Sequence, residues 1–401
     1  MNITERFLKY VSFDTQSNEA STTYPTTAKQ LALAKYLQAE LKSLKIETTL
    51  DNNGIVYGHL PKNIDKGYKI GYIAHMDTSP DASGANIKPR IINNYDGKPI
   101  KLNNERIMDP KVFTSLKRHT GKNLIVTDGN TLLGADDKAG IAIIVSFVEK
   151  LIQENQKHND IYLAFTPDEE VGKGTDNFDL SKFPADFAYT IDGGEIENIE
   201  YENFNAASAT VEFIGNSVHP GSAKGKMLNA SSLAMEFDNL LPTFDRPEYT
   251  EKYEGFNHLI KIDGSCEKAT SIYIIRNHDK KLLAKQKQDF LNNANFLNTK
   301  YHDEVVKVNI KDSYANMFDL IKTHPEITDL AKQAIKEVVG KVNTVAIRGG
   351  TDGAMLTYKG LLTPNLGTGG YNYHGPYEYL CINEHQKMVE VLLKLNELNI
   401  K

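Results

Sequence analysis

The sequence predicts an α/β domain interrupted by a smaller ferredoxin-like α+β domain. Three observations carry this. Up to residue 206, short apolar runs with strand character alternate with stretches of helical spacing, the pattern of a sheet with parallel strands and crossover helices. Between residues 207 and 312 the order changes to β-α-β-β-α-β, a ferredoxin-like unit. From residue 313 the alternation resumes, so residues 1–206 and 313–401 read as one domain and 207–312 as an insertion. A chain of 401 residues is long enough for two cores.

The elements follow in order. Residues 3–11 have amphipathic helical spacing, and a longer helix follows Pro25 with Leu31, Ala34, Leu37, Leu41 and Leu44 on one face. Thr26 or Thr27 is the expected cap. Asp51-Asn52-Asn53-Gly54 reads as a hairpin turn before a strand at Ile55-Val56-Tyr57. Lys69–Ala74 is a buried-strand candidate ending in His75-Met76-Asp77. Residues 81–123 read as an irregular excursion. Leu124-Ile125-Val126 is a strand leading towards Gly134-Ala135-Asp136-Asp137-Lys138-Ala139-Gly140, where a long apolar helix begins. Asp160–Phe165 and Asp186–Ile191 are further apolar strands, ending in Asp168-Glu169-Glu170 and Asp192-Gly193-Gly194. In the insertion, strands are expected at 210–214, 259–262, 271–275 and 305–310, with helices at 228–241 and 280–298. A helix at 326–339, a strand at 344–347, a Gly-rich loop carrying His374 and a final helix over 383–398 complete the chain.

Composition narrows the function. Lys+Arg 46 against Asp+Glu 52 leaves a net charge of −6, with no basic run, which argues against a nucleic-acid surface. The two cysteines, Cys266 and Cys381, lack metal-type spacing, and a reducing cytoplasm fits them. No apolar run is long enough for a bilayer, and the first residues open no apolar signal region.

The chemistry lies at the strand ends. Parallel strands share one carboxyl edge, where open α/β sheets place ligands. His75, Asp136, Glu169, Glu170 and Asp192 gathered there would repel one another without a cation. Two metals, one bridging carboxylate, and one histidine and one further acid for each need two His and three acids. His75, His374, Asp136, Glu170 and Asp192 supply that count, with either Asp136 or Asp137 as the bridge. Nitrogen and oxygen ligands without thiolate suit Zn²⁺ and also admit Co²⁺ or Mn²⁺. Asp77 is placed to accept the other imidazole N–H of His75. Glu169, next to a ligand, is placed as general base.

Taken together, His75-x-Asp77, Gly134–Gly140, Asp168-Glu169-Glu170-Val171-Gly172, Ile191–Gly194 and Asn372-Tyr373-His374-Gly375 resemble the co-catalytic zinc exopeptidase family. That family includes aminoacylases, carboxypeptidases and succinyl-diaminopimelate desuccinylase. The resemblance covers essentially the whole chain. It implies a mixed-sheet catalytic domain, with the insertion as lid and dimer contact of a homodimer. It also implies two Zn²⁺ per subunit: one on His75, Asp136 and Asp192, the other on Asp136, Glu170 and His374, with Asp136 favoured as the bridge. Glu169 would be the base and Asp77 would orient His75.

Ser217–Lys224 and Arg348–Gly353 further resemble the subgroup that releases the N-terminal residue from tripeptides. The alternative within the family is hydrolysis of N-acyl amino acids or dipeptides. His219 resembles a histidine that reaches a partner subunit's site and stabilises an oxyanion. Arg276 and Arg348 each end a strand, and either is a candidate clamp for a peptide carboxylate or a structural ion pair.

Overall fold

The computed structural model describes all residues, 1–401, and separates into two units. The first comprises Met1–Tyr201, Met317–Val345 and Thr351–Lys401; the second comprises Glu202–Asn316 and Ala346–Gly350.

The first unit is built on an eight-stranded mixed sheet. From one edge its strands are Glu47–Leu50, Val56–Leu60, Ile161–Thr166, Ile70–His75, Phe187–Gly193, Asn365–Gly367, Asn198–Asn203 and Asn343–Ile347. The centre is parallel: Ile70–His75 runs beside both Ile161–Thr166 and Phe187–Gly193, and Asn365–Gly367 runs parallel to the latter. His75 pairs with Thr166, so the chain emerges from neighbouring strands at one level of the sheet. All six residues of both Ile70–His75 and Ile161–Thr166 are buried, which explains their continuous apolar runs.

The helix Ala135–Gln153 packs against the strands Ile70–His75 and Phe187–Gly193. Residues 139–145, Phe147, Val148 and Leu151 are all buried, as expected for a helix covered on every side. Ile3–Val11 packs beside this helix, tied to it by Arg6, which is 1 % exposed yet bonded to Glu40, Ser146 and Glu149. Helices Pro325–Val339 and Ile382–Asn399 add to the same core, with Met388, Val391, Leu392 and Leu395 inward as the spacing predicts.

Two expectations need correction. Leu124–Val126 is a strand, but it belongs to a separate four-stranded sheet with Arg90–Ile92, Gly370–Tyr371 and Tyr379–Cys381. The turn at Asp136 therefore does not follow a strand of the main sheet. The second helix begins at Gln30 after Lys29, with no side-chain cap. Thr26 is drawn away, because its backbone N–H and hydroxyl both donate to the buried Asp168.

The second unit has the order strand Asn205–Ile214, helix Ala230–Leu240, strands Phe256–Gly264 and Lys268–Asn277, helix Lys280–Tyr301 and strand Val306–Tyr314. Its four strands are antiparallel, in the spatial order second, third, first, fourth, which is the ferredoxin-like arrangement. Phe213, Phe237, Tyr273 and Phe290 lie in its separate core. No helix of either unit is long and apolar enough to cross a membrane.

Candidate metal centre and active site

Five segments of the first unit converge at the carboxyl edge of the central strands. His75 ends its strand, and Asp192 lies near the end of the neighbouring one. Glu169 and Glu170 open a short turn of 3₁₀-helix after Ile161–Thr166. Asp136 precedes the long helix: Asp136 and Asp137 have non-helical backbone angles, and the peptide between them is cis. His374 sits in the loop joining Gly370–Tyr371 to Tyr379–Cys381.

The geometry is that of two ligand groups sharing one carboxylate. Asp136 Oδ1 lies 2.8 Å from His75 Nε2, and Asp136 Oδ2 lies 3.3 Å from His374 Nε2. Asp192 Oδ1 is 3.4 Å from His75 Nε2, and Glu170 Oε2 is 2.9 Å from His374 Nε2. The Asp137 oxygens accept the backbone N–H groups of His75 and Gly140 at 3.2 and 3.1 Å, and one of them also lies within 4.8 Å of ligand atoms of His75 and Asp192.

Asp77 reaches further than its expected partner. His75 Nδ1 lies 3.3 Å from its Oδ1 and 3.1 Å from its backbone carbonyl. The same carboxylate also accepts the N–H groups of Glu169 and Glu170, at 3.0 and 3.2 Å. One buried acid thus orients an imidazole and the backbone of both glutamates.

The electrostatics are those of too many acids for two imidazoles. Burial pushes Asp192 up to about 8, with the neighbouring Asp136 adding to the rise. Burial also raises Glu169 and Glu170, reinforced by nearby carboxylates. Hydrogen bonds to Asp136 and Glu170 lift His374 to about 11. Burial opposes the charge on Asp136, but hydrogen bonds from His374 and His75 hold it below the usual carboxylate range. Glu170 Oε1 is buried with no hydrogen-bond partner. A buried acceptor without a donor beside surplus carboxylates fits a divalent cation. The set offers imidazole nitrogen and carboxylate oxygen only, which suits zinc.

The remaining site candidates lie in the second unit. His219 is exposed in a turn, where its Nδ1 accepts the Gly221 N–H at 3.2 Å. Arg276 gives Nη1 to the carbonyls of Ala207 and Ile275 and stacks over Tyr314. Arg348 directly follows Asn343–Ile347 of the eight-stranded sheet, as its sequence position implies, and its side chain lies among residues of the second unit. There its guanidinium donates to the carbonyls of Lys252 and Glu254 and to the Thr250 hydroxyl, over the rings of Phe204 and Phe256.

Sequence reasoning passed over three side chains at the first-unit site. Asp81 lies 3.4 Å from His374 Nδ1, and Asp352 is a buried carboxylate bonded to Thr166. Glu378 binds the backbone of the Asp136 turn. A lone acid in a loop carries no periodicity, so only the fold reveals these neighbours. Away from this edge, a cluster of His119, Cys381 and Glu384 is already satisfied internally, because Glu384 binds Lys122, His119 and Tyr371.

Comparison with known proteins agrees with this geometry. Residues 126–397 match the model of peptidase family M20/M25/M40. Peptidase T of Caldanaerobacter subterraneus subsp. tengcongensis is 49 % identical over 99 % of this chain and 98 % of that protein. Peptidase T of Clostridium acetobutylicum is 50 % identical over the same shares. Aminopeptidase PepT from Bacillus cereus shares the fold with a TM-score of 0.77 at 21 % identity, covering 100 % of this chain and 98 % of that one. A tripeptidase from Staphylococcus aureus does so at 0.77 and 19 %, covering 99 % and 98 %. This chain, with imidazoles and carboxylates converging on one sheet edge, belongs to the metal-dependent peptidase family M20/M25/M40.

Proposed function

We propose that the chain is a tripeptide aminopeptidase that uses two zinc ions per subunit. The observation that carries the reading is the Asp136 carboxylate, whose two oxygens face different imidazoles, in a chain about half identical over its whole length to proteins named peptidase T. His75, Asp136 and Asp192 would hold one ion, and Asp136, Glu170 and His374 the other. When bound, the ions supply the Lewis acidity that polarises a peptide carbonyl and acidifies water.

The chain's own groups do the rest. Glu169 is half-buried beside the ligands, and its carboxylate makes no hydrogen bond of its own. It accepts a proton from the attacking water as the C–O bond forms. It then returns that proton to the peptide nitrogen as the C–N bond breaks. Asp77 fixes the backbone from which Glu169 projects.

Substrate recognition falls to the second unit, which serves as lid and as contact in a homodimer. His219 of one subunit would steady the oxyanion in its partner's site. Arg276 is favoured over Arg348 as the clamp for the substrate's carboxylate. It commits only Nη1 to backbone oxygens, whereas Arg348 commits both terminal nitrogens. Two unpaired cysteines accord with a cytoplasmic site of action.

The test is a panel of Ala-Ala-Ala, Ala-Ala, acetyl-Ala and succinyl-diaminopimelate, assayed after EDTA treatment with and without added zinc. Zinc-restored cleavage of the tripeptide ahead of the others is expected. Preference for an acylated substrate would overturn the aminopeptidase assignment. Glu169→Gln should retain metal but lose about two to four orders of magnitude in kcat; near-normal turnover would remove Glu169 as the base.

A further inference from the structure

Glu378 is a buried acid that the proposed chemistry does not use. Its side chain is 1 % exposed and makes no salt bridge, although its charge acts on the buried Lys138 ammonium. Its oxygens instead accept three backbone N–H groups: Leu133 and Gly134 on Oε2, at 2.6 and 2.8 Å, and Asp136 on Oε1, at 3.1 Å. These amides lie in the turn before the regular part of the long helix. Gly134 is left-handed there, with φ 75°, so no preceding helical turn offers carbonyls to receive them. Leu133 and Ala135 are fully buried, which leaves little water as a substitute partner. Three donors on one buried carboxylate form a charge-assisted clamp that a neutral side chain cannot match.

The position of Glu378 in the chain gives the clamp its meaning. It lies in the same connection as His374, between Gly370–Tyr371 and Tyr379–Cys381. That connection therefore presents an imidazole to Asp136 Oδ2 and also holds the backbone from which Asp136 projects. We infer that Glu378 is a positioning residue for the metal centre. It sets the Leu133–Asp136 turn so that the two oxygens of Asp136 address His75 and His374 together. Neither ligand segment then keeps its place without the other. This inference rests on the reading of Asp136 as a bridging ligand.

Glu378→Gln is the informative change. It keeps the volume but leaves one acceptor oxygen, and its NH₂ must face an N–H donor. Amide hydrogen exchange in metal-free protein is one readout and zinc titration by calorimetry the other. Exchange at Leu133, Gly134 and Asp136 should quicken by at least about tenfold, and zinc affinity should fall by roughly 10–100-fold. Glu378→Asp, which keeps the charge but falls short in reach, should lie between wild type and Glu378→Gln. Unchanged exchange and unchanged zinc affinity in Glu378→Gln would overturn the assignment. If that variant does not fold, the wild type decides, because exchange at these amides as fast as in exposed loops would equally overturn it. Failure of the wild type to bind two ions would count against the proposed function, while the exchange data would still judge the clamp.

Discussion

Replacing Asp77 by Asn tests how much of the site depends on one carboxylate. Asp77 is fully buried and faces three donors: the Glu169 N–H, the Glu170 N–H and His75 Nδ1. Asn offers a single acceptor oxygen and turns two hydrogens towards the remaining donors. A hydrogen bond to a charged group contributes about 1.5–3 kcal/mol, so losing one backbone partner costs about that much. Loosening the imidazole behind a metal typically costs about 10–100-fold in affinity or activity, or about 1.4–2.7 kcal/mol. Zinc calorimetry and tripeptide kinetics on Asp77→Asn should therefore show affinity and kcat/KM each reduced by one to two decades. Circular dichroism should stay unchanged, because the strand Ile70–His75 is held by its neighbours on both sides. Wild-type affinity together with wild-type kcat/KM would refute the reasoning.

Other regions give independent checks. Arg6→Ala strands Glu40 and Glu149 without their buried partner, and urea unfolding should register a loss of about 3–5 kcal/mol. Burial opposes the charge on Glu384, but hydrogen bonds from His119, Lys122 and Tyr371 hold it down to about 2. The unfolded carboxyl, near 4.5, takes its proton first on acidification. Stability from this group is thus full above about pH 4.5 and lost as pH falls towards 2, amounting to roughly 3 kcal/mol. Denaturation curves between pH 6 and 2 should be less acid-sensitive in Glu384→Gln. Gly140→Ala, normally favourable in a helix by about 0.5–1 kcal/mol, should instead destabilise by about 1–3 kcal/mol. Its new Cβ would collide with the Ile191 carbonyl and the Asp137 carboxylate, so thermal melts should shift downward.

The sequence made the helices and central strands legible because periodicity reports burial directly. Ile3–Val11, Leu124–Val126 and the β-α-β-β-α-β order lie where their patterns place them. The convergence of His75, Glu170 and Asp192 was also legible, since strand ends in a parallel sheet must share an edge, whereas Asp136 and His374 reach that edge from connections of the smaller four-stranded sheet. What spacing could not tell was sheet membership. Three apolar residues such as Leu124–Val126 fit any sheet, and long-range pairing placed them beside Tyr379–Cys381. Capping was misread for a related reason: Thr26 is drawn to Asp168, a partner far along the chain. Arg348 belongs with the second unit because two aromatic rings and two carbonyls there receive its guanidinium.

The five ligand candidates are strung along the chain from residue 75 to residue 374, and none of the other four shares a segment with His374. A fragment that ends before residue 374 lacks a complete pair of coordination shells, however well its strands form. Ions seated among all five would therefore reward only the finished tertiary structure. By mass action, free zinc at a thousand times its dissociation constant would add about 4 kcal/mol per site against unfolding. A chelator would then act as a denaturant as well as an inhibitor, and metal supply would help set how long the folded protein survives.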